Sequence, residues 1–164
     1  MTLLHEHGIV GIADVRRFPA SRRHPHFGRE ALAAMLAAAG LHYDWLPALG
    51  GRRAPRPDSP HTAWRERAFR AYADHMETEE FRGGLDQLIR LAEARPTAVM
   101  CAEAVPWRCH RQLVADALVA RGLPVMHVLG PGAPKPHALS RHARLDGDRL
   151  VYDVGELPLG DARR

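Results

Sequence analysis

Within Cys101-Ala-Glu103-Ala-Val-Pro106-Trp-Arg108-Cys109-His110-Arg111 the chain concentrates two thiols, a carboxylate, an imidazole and two guanidiniums. Residues of these types so close together can do three kinds of chemistry. Cys109, beside Arg108 and Arg111 and near an expected helix start, is placed to carry a lowered thiol pKa and act as a nucleophile. Glu103 can serve as general acid or base if partly buried, or else neutralise Arg111 or Arg16. Cys101, Glu103, Cys109 and His110, with His127, could converge on a metal, but their spacing matches no standard zinc pattern, so no metal is assigned. On a helix, the side chains of Cys109 and His110 would diverge by about 100° and need not touch. Each cysteine also has a plainer reading as a buried, inert side chain.

The surrounding pattern says which elements hold this segment. Ile9 to Val15 is a short apolar run ending in Asp14, as expected of a strand covered on both faces. Arg16 to Gly28 is a basic loop broken by Pro19 and Pro25, and Arg29 to Ala39 has helical spacing with Gly40 as its stop. Leu41 to Leu46 returns to strand character before a second basic loop, Gly50-Gly51-Arg52-Arg53-Ala-Pro55-Arg56-Pro57. Phe69, Tyr72, Ala73 and Met76 make one helical stripe, with Tyr72 able to turn its hydroxyl outward. Thr78 followed by Glu79 and Glu80 reads as the N-cap of a second helix ending near Ala94. The third strand is Thr97 to Cys101, the next helix covers about Arg108 to Arg121, and a fourth strand is Pro124 to Val128. Ala143 to Asp153 reads as a hairpin about Asp146-Gly147.

Strands alternating with helices predict an α/β fold, a single domain with a small, mostly parallel, Rossmann-like or rhodanese-like sheet flanked by helices and followed by a C-terminal β-hairpin. Ligands of such sheets bind beyond the carboxyl ends of the strands. The two basic loops, the Cys101 to Arg111 segment and Gly130-Pro131-Gly132 would then share one cationic rim that favours an anion. Asp14 and Arg16 are expected to brace each other there. His24, His26, His61 and His137 fall in loops and are expected to be solvated.

The 164 residues suit one domain, and 46% apolar with 26% charged residues is ordinary globular composition. Net charge is +4, and Lys135 is the only lysine among 23 cationic side chains. The planar guanidinium recognises phosphate and carboxylate bidentately, so the clustering of arginine is informative. Two closely spaced cysteines without an export signal argue against a secreted disulfide scaffold, and no apolar run is long enough to span a bilayer. A cytoplasmic location and no membrane partner are expected.

Several stretches resemble the bacterial family named domain of unknown function 488. They are Asp14-Val-Arg16-Arg-Phe-Pro19, Ser21-Arg22-Arg23 with Phe27, Leu46-Pro47 with Leu49-Gly50-Gly51-Arg52, and Phe69-Arg-Ala-Tyr72-Ala-Asp-His-Met76. Cys101-Ala-Glu103 with Cys109-His110-Arg111, and His127 before Gly130-Pro-Gly132, complete the set. The resemblance runs from about His7 to Leu145. Members similar to this chain open with a strand ending in Gly-His-Ser, so residues 1–164 are expected to form a single domain without that strand. A looser likeness is to rhodanese-type sulfurtransferases and related phosphatases, which also carry Asp-x-Arg after an early strand and a cysteine at a strand end. Here the spacing from Cys101 to Arg108 is one residue longer than in the phosphatases.

The functional expectation is an enzyme acting on a small anionic substrate containing phosphate, a nucleotide or sulfur. Its catalytic residues would be Cys109, Cys101, Glu103 and His110. Asp14, Arg16, Arg22, Arg52, Tyr72, Arg111 and His127 would bind substrate, and no cofactor is named. The alternative is a nucleic-acid-binding or accessory protein using the same arginines without catalysis, although stacking aromatics are scarce. An unpaired sheet edge also offers a homodimer contact.

Overall fold

β1 (Gly11–Asp14) is buried at every position because it is the middle strand of its sheet. The computed structural model describes residues 1–20 and 23–153. A short helix α1 (Thr2–Glu6) precedes β1, and α2 (Arg29–Ala38) leads to β2 (His42–Trp45). Helices α3 (Arg67–Met76) and α4 (Glu79–Ala94) then lead to β3 (Thr97–Met100), and α5 (Arg111–Ala120) follows. β2 and β3 both pair parallel with β1, Gly11 lying opposite His42 on one side and Thr97 on the other. Neighbouring residues of β1 point to opposite faces, as the twofold period of a strand requires. Ile12 packs with Leu32, Leu36 and Leu41 on the α2 side, while Ala13 and Val15 join Leu46, Leu85, Leu88, Leu113 and Val114 on the other. At the start of α4 the Thr78 hydroxyl accepts the Phe81 N–H at 3.2 Å, the cap expected from its sequence.

The fourth strand departs from expectation. β4 (Met126–His127) does not join the parallel sheet; it pairs antiparallel with β5 (Lys135–Pro136) in a separate two-stranded ladder. Pro124 has no N–H to give a ladder, and the chain folds back on itself instead, His137 N donating to Val125 O at 2.8 Å. The hairpin is present as β6 (Ala143–Asp146) and β7 (Arg149–Tyr152). Among the described residues no helix is long and apolar enough to cross a membrane.

Two histidines expected in solvent have covered side chains. His61 is fully buried; its Nδ1 accepts the Tyr152 N–H at 3.2 Å, which leaves the Nε2 proton facing Glu77 Oε1 at 3.2 Å. His137 is held by Asp116, itself 0% exposed, at 2.9 Å. Asp116 also accepts the Ser140 N–H at 2.9 Å and the Tyr152 hydroxyl at 3.0 Å. The His61 loop is drawn in by the hairpin backbone and the His137 loop by Asp116 of α5, distant partners that neighbouring residues cannot reveal. Tyr72 likewise turns inward: it is 1% exposed and its hydroxyl donates to Leu49 O at 2.7 Å, so that hydroxyl is not offered to the rim.

These placements carry two predictions. Burial holds His61, His75 and His127 below the ordinary imidazole value of 6.5. The unfolded chain therefore binds more protons than the folded one as pH falls through that value, and stability must fall with it. Urea midpoints are expected to drop between about pH 7.5 and about pH 5.5, before carboxylates such as Glu80, kept low by its Arg53 hydrogen bond, begin to contribute. A flat midpoint over that interval would contradict the burial of these rings. Tyr72→Phe leaves the Leu49 carbonyl without its buried donor and should cost about 1–3 kcal/mol in the same assay.

Candidate functional site

Val15 N donates to Met100 O at 2.9 Å, so the β1–β3 pairing continues to the last residue of β3 and releases Cys101 at the carboxyl edge of the sheet. The chain then makes a tight turn over Pro106–Arg108, closed by Cys109 N donating to Pro106 O at 2.9 Å. Cys109 is extended, with φ −138° and ψ 147°, and His110 is the cap of α5. Cys109 thus stands just outside the helix. Its side chain does not diverge from that of His110 as a helical pair would: Cys109 Sγ lies 3.7 Å from His110 Nδ1.

The two sulfurs are 2.9 Å apart and neither is in a disulfide. Cys109, 3% exposed, receives the Arg111 backbone N–H at 3.5 Å and the Arg111 Nε–H at 3.4 Å. Cys101, half-buried, receives the Glu103 N–H at 3.3 Å. The hydrogen bond from Cys101 lowers the Cys109 pKa most; burial opposes it, and His110 and the Arg111 N–H act in the same direction as Cys101. The same bond, with burial, pushes Cys101 up. The donors gathered on Cys109 therefore favour its ionisation over that of Cys101.

The second basic loop comes up to His110, and the first packs against the second. A side chain at Gly51 would put its Cβ 3.0 Å from His110 Nδ1, and one at Gly50 would meet the backbone of Arg17 at 2.8 Å. Glycine is thus what lets the second basic loop lie against the first and against His110. Arg17 Nη1 donates to Arg52 O at 3.1 Å, joining the loops directly. Arg53 staples the second loop from within, donating to the carbonyls of Gly50 at 2.9 Å and Ala48 at 3.1 Å and to Glu80 at 2.9 Å. The Tyr72 ring lies beneath, 4.9 Å from that of His110.

The expected site residues separate into groups. Cys101, Cys109, His110 and Arg111 are together. Asp14 and Arg16 form the expected brace, at 2.6 Å. Arg52 is exposed, with a left-handed φ of 61°. The Glu103 carboxylate is exposed rather than paired with Arg111 or Arg16; it is the Glu103 carbonyl that accepts the Arg111 Nη2–H. His127 Nε2 is 2.9 Å from His137 Nδ1, at the outer end of the chain that starts at Asp116. Arg22 lies outside the described residues. Sequence reasoning overlooked Arg17, Arg53 and Asp116. An acidic residue between the inward positions Leu113 and Ala117 of a helix was the available signal for Asp116.

The donor atoms of Cys101, Cys109 and His110 lie within 4.8 Å of one another and are, among the described residues, the set that could hold a soft metal ion. Two cavities, of about 320 and 300 Å³, lie elsewhere: one between α3, α4, α5 and the hairpin, the other beside β4 and β5. Neither is lined by the cysteine pair.

No curated protein and no solved structure matches the chain. A family model described as Domain of unknown function DUF488 matches residues 1–118, more than two thirds of the sequence. That stretch contains the Asp14–Arg16 brace, both basic loops, both cysteines and the start of α5, while His127 and Gly130 to Gly132 lie beyond it. The chain belongs to the family described as Domain of unknown function DUF488.

Proposed function

We propose that this protein is an enzyme that acts on a small anionic substrate through the Cys109 thiolate. The observation that carries the reading is the set of donors on one sulfur: the Cys101 thiol, the Arg111 amide and the Arg111 guanidinium all lie against Cys109 Sγ. A thiolate is the reactive form of cysteine. Cys101 keeps the proton that a leaving group needs, Arg111 orients the nucleophile, and the exposed Arg17 and Arg52 stand where an anion would dock. Glu103, on the same loop and exposed, is available as acid or base once substrate is bound.

Three arginines of the two basic loops are answered by carboxylates within the protein. Arg16 is neutralised by Asp14, Arg53 by Glu80, and Arg56 by Glu77. Arg17, Arg52 and Arg108 are among the described arginines that carry no ion pair, so the loops around the cysteine pair keep uncompensated positive charge.

Alkylation tests this reading. Iodoacetate should label Cys109 faster than neutral iodoacetamide by about tenfold once each rate is divided by that of free glutathione. Arg52→Ala should reduce the ratio, Arg111→Met should lower both rates, and Cys109→Ser should abolish labelling. Equal normalised rates, or labelling first at Cys101, would contradict the proposal.

A further inference from the structure

We propose that Cys101 and Cys109 act as a dithiol pair on small anionic disulfides, Cys109 taking the first sulfur and Cys101 resolving the mixed disulfide into an internal one. This rests on the reading of Cys109 as a nucleophile and names its substrate class.

Three observations carry it. The sulfurs stand 2.9 Å apart, so closing to a disulfide bond length of about 2.05 Å takes less than about 1 Å of movement. Both cysteines lie on one short loop anchored at each end, by Val15 N on Met100 O and by Cys109 N on Pro106 O. That anchoring keeps the resolving sulfur beside the one it must attack. The donors on Cys109 favour the reduced pair, and a dithiol stabilised in this way forms a disulfide that is readily reduced again, as turnover requires. The positive charge of Arg111 against Cys109 and of Arg17 and Arg52 on the two joined basic loops suits a disulfide carrying carboxylates. The same charge works against a cation held by the two sulfurs and His110.

The steps balance. Cys109 thiolate attacks one sulfur of the substrate disulfide, forming Cys109–S–S–R and releasing R–S⁻, which takes the proton from Cys101. The Cys101 thiolate then attacks Cys109 Sγ, forming the Cys101–Cys109 bond and releasing the second R–S⁻. The protein loses two electrons and the substrate disulfide gains them, leaving one thiol and one thiolate.

The test uses oxidised glutathione, with cationic cystamine for comparison, and intact-protein mass spectrometry. Wild type should become lighter by two hydrogen atoms, faster with oxidised glutathione than with cystamine. Cys101→Ser should stop at one glutathionyl group on Cys109, and Cys109→Ser should stay unmodified. A stable glutathionyl adduct on wild type, or an adduct on Cys109→Ser formed as fast as on Cys101→Ser, would overturn the dithiol roles. If iodoacetate still labels Cys109 in that case, the nucleophile reading survives without them. A protein purified with one zinc ion that must be removed before either thiol reacts would overturn both.

Discussion

The rim of this protein hangs from one buried carboxylate. Asp14 closes the central strand and is 0% exposed. Its oxygens accept the Arg16 amide at 3.0 Å, the Arg16 guanidinium at 2.6 Å and the Tyr43 hydroxyl at 2.7 Å. Burying a charge at a strand end is tolerable only when it is so fully answered, and removing one partner of such a pair typically costs about 3–5 kcal/mol. Burial and the bond to Asp14 raise the Tyr43 phenol, so it stays protonated and donating. Arg16 Nη1 donates to Phe27 O at 2.8 Å, and Trp45 Nε1 donates to Arg16 O at 2.9 Å. The first basic loop is thereby tied at both ends. One residue beyond Asp14, Val15 makes the last bond to β3, from which Cys101 departs.

From there the arrangement is a division of labour along α5. Its first residue, Arg111, donates to the Cys109 sulfur, and five residues later its buried Asp116 fastens the hairpin through Tyr152 and the His127 loop through His137. The helix therefore couples the cysteine loop to the C-terminal part of the chain. An acidic core residue is costly unless saturated with donors, and Asp116 has three.

Much of this was legible in the sequence because local patterns carried it. The apolar run through Ile12 and Ala13, the Thr78 cap with Glu79 and Glu80, and the Asp146-Gly147 turn each state their structure within a few residues. So does the placement of both basic loops and Cys101 at one edge, which follows from strand order alone. What could not be read depends on distant partners. His61 and His137 sit in loops and become buried only because Tyr152 and Asp116 come to meet them. β4 leaves the parallel sheet because a later segment offers it a partner. Cys109 meets His110 because the Pro106 turn keeps it extended, a backbone choice that helical periodicity does not report. Glu103 faces solvent because Arg111 finds a carbonyl in place of the carboxylate.

The central claim is that charge resides on the Cys109 sulfur, and the rate of its alkylation by neutral iodoacetamide as a function of pH measures it directly. The account predicts a rate already on its plateau in mildly acidic solution, with its midpoint well below the ordinary thiol value of about 8.5 and moving upward in Cys101→Ser. A midpoint at or above that ordinary value in the wild-type protein would contradict it.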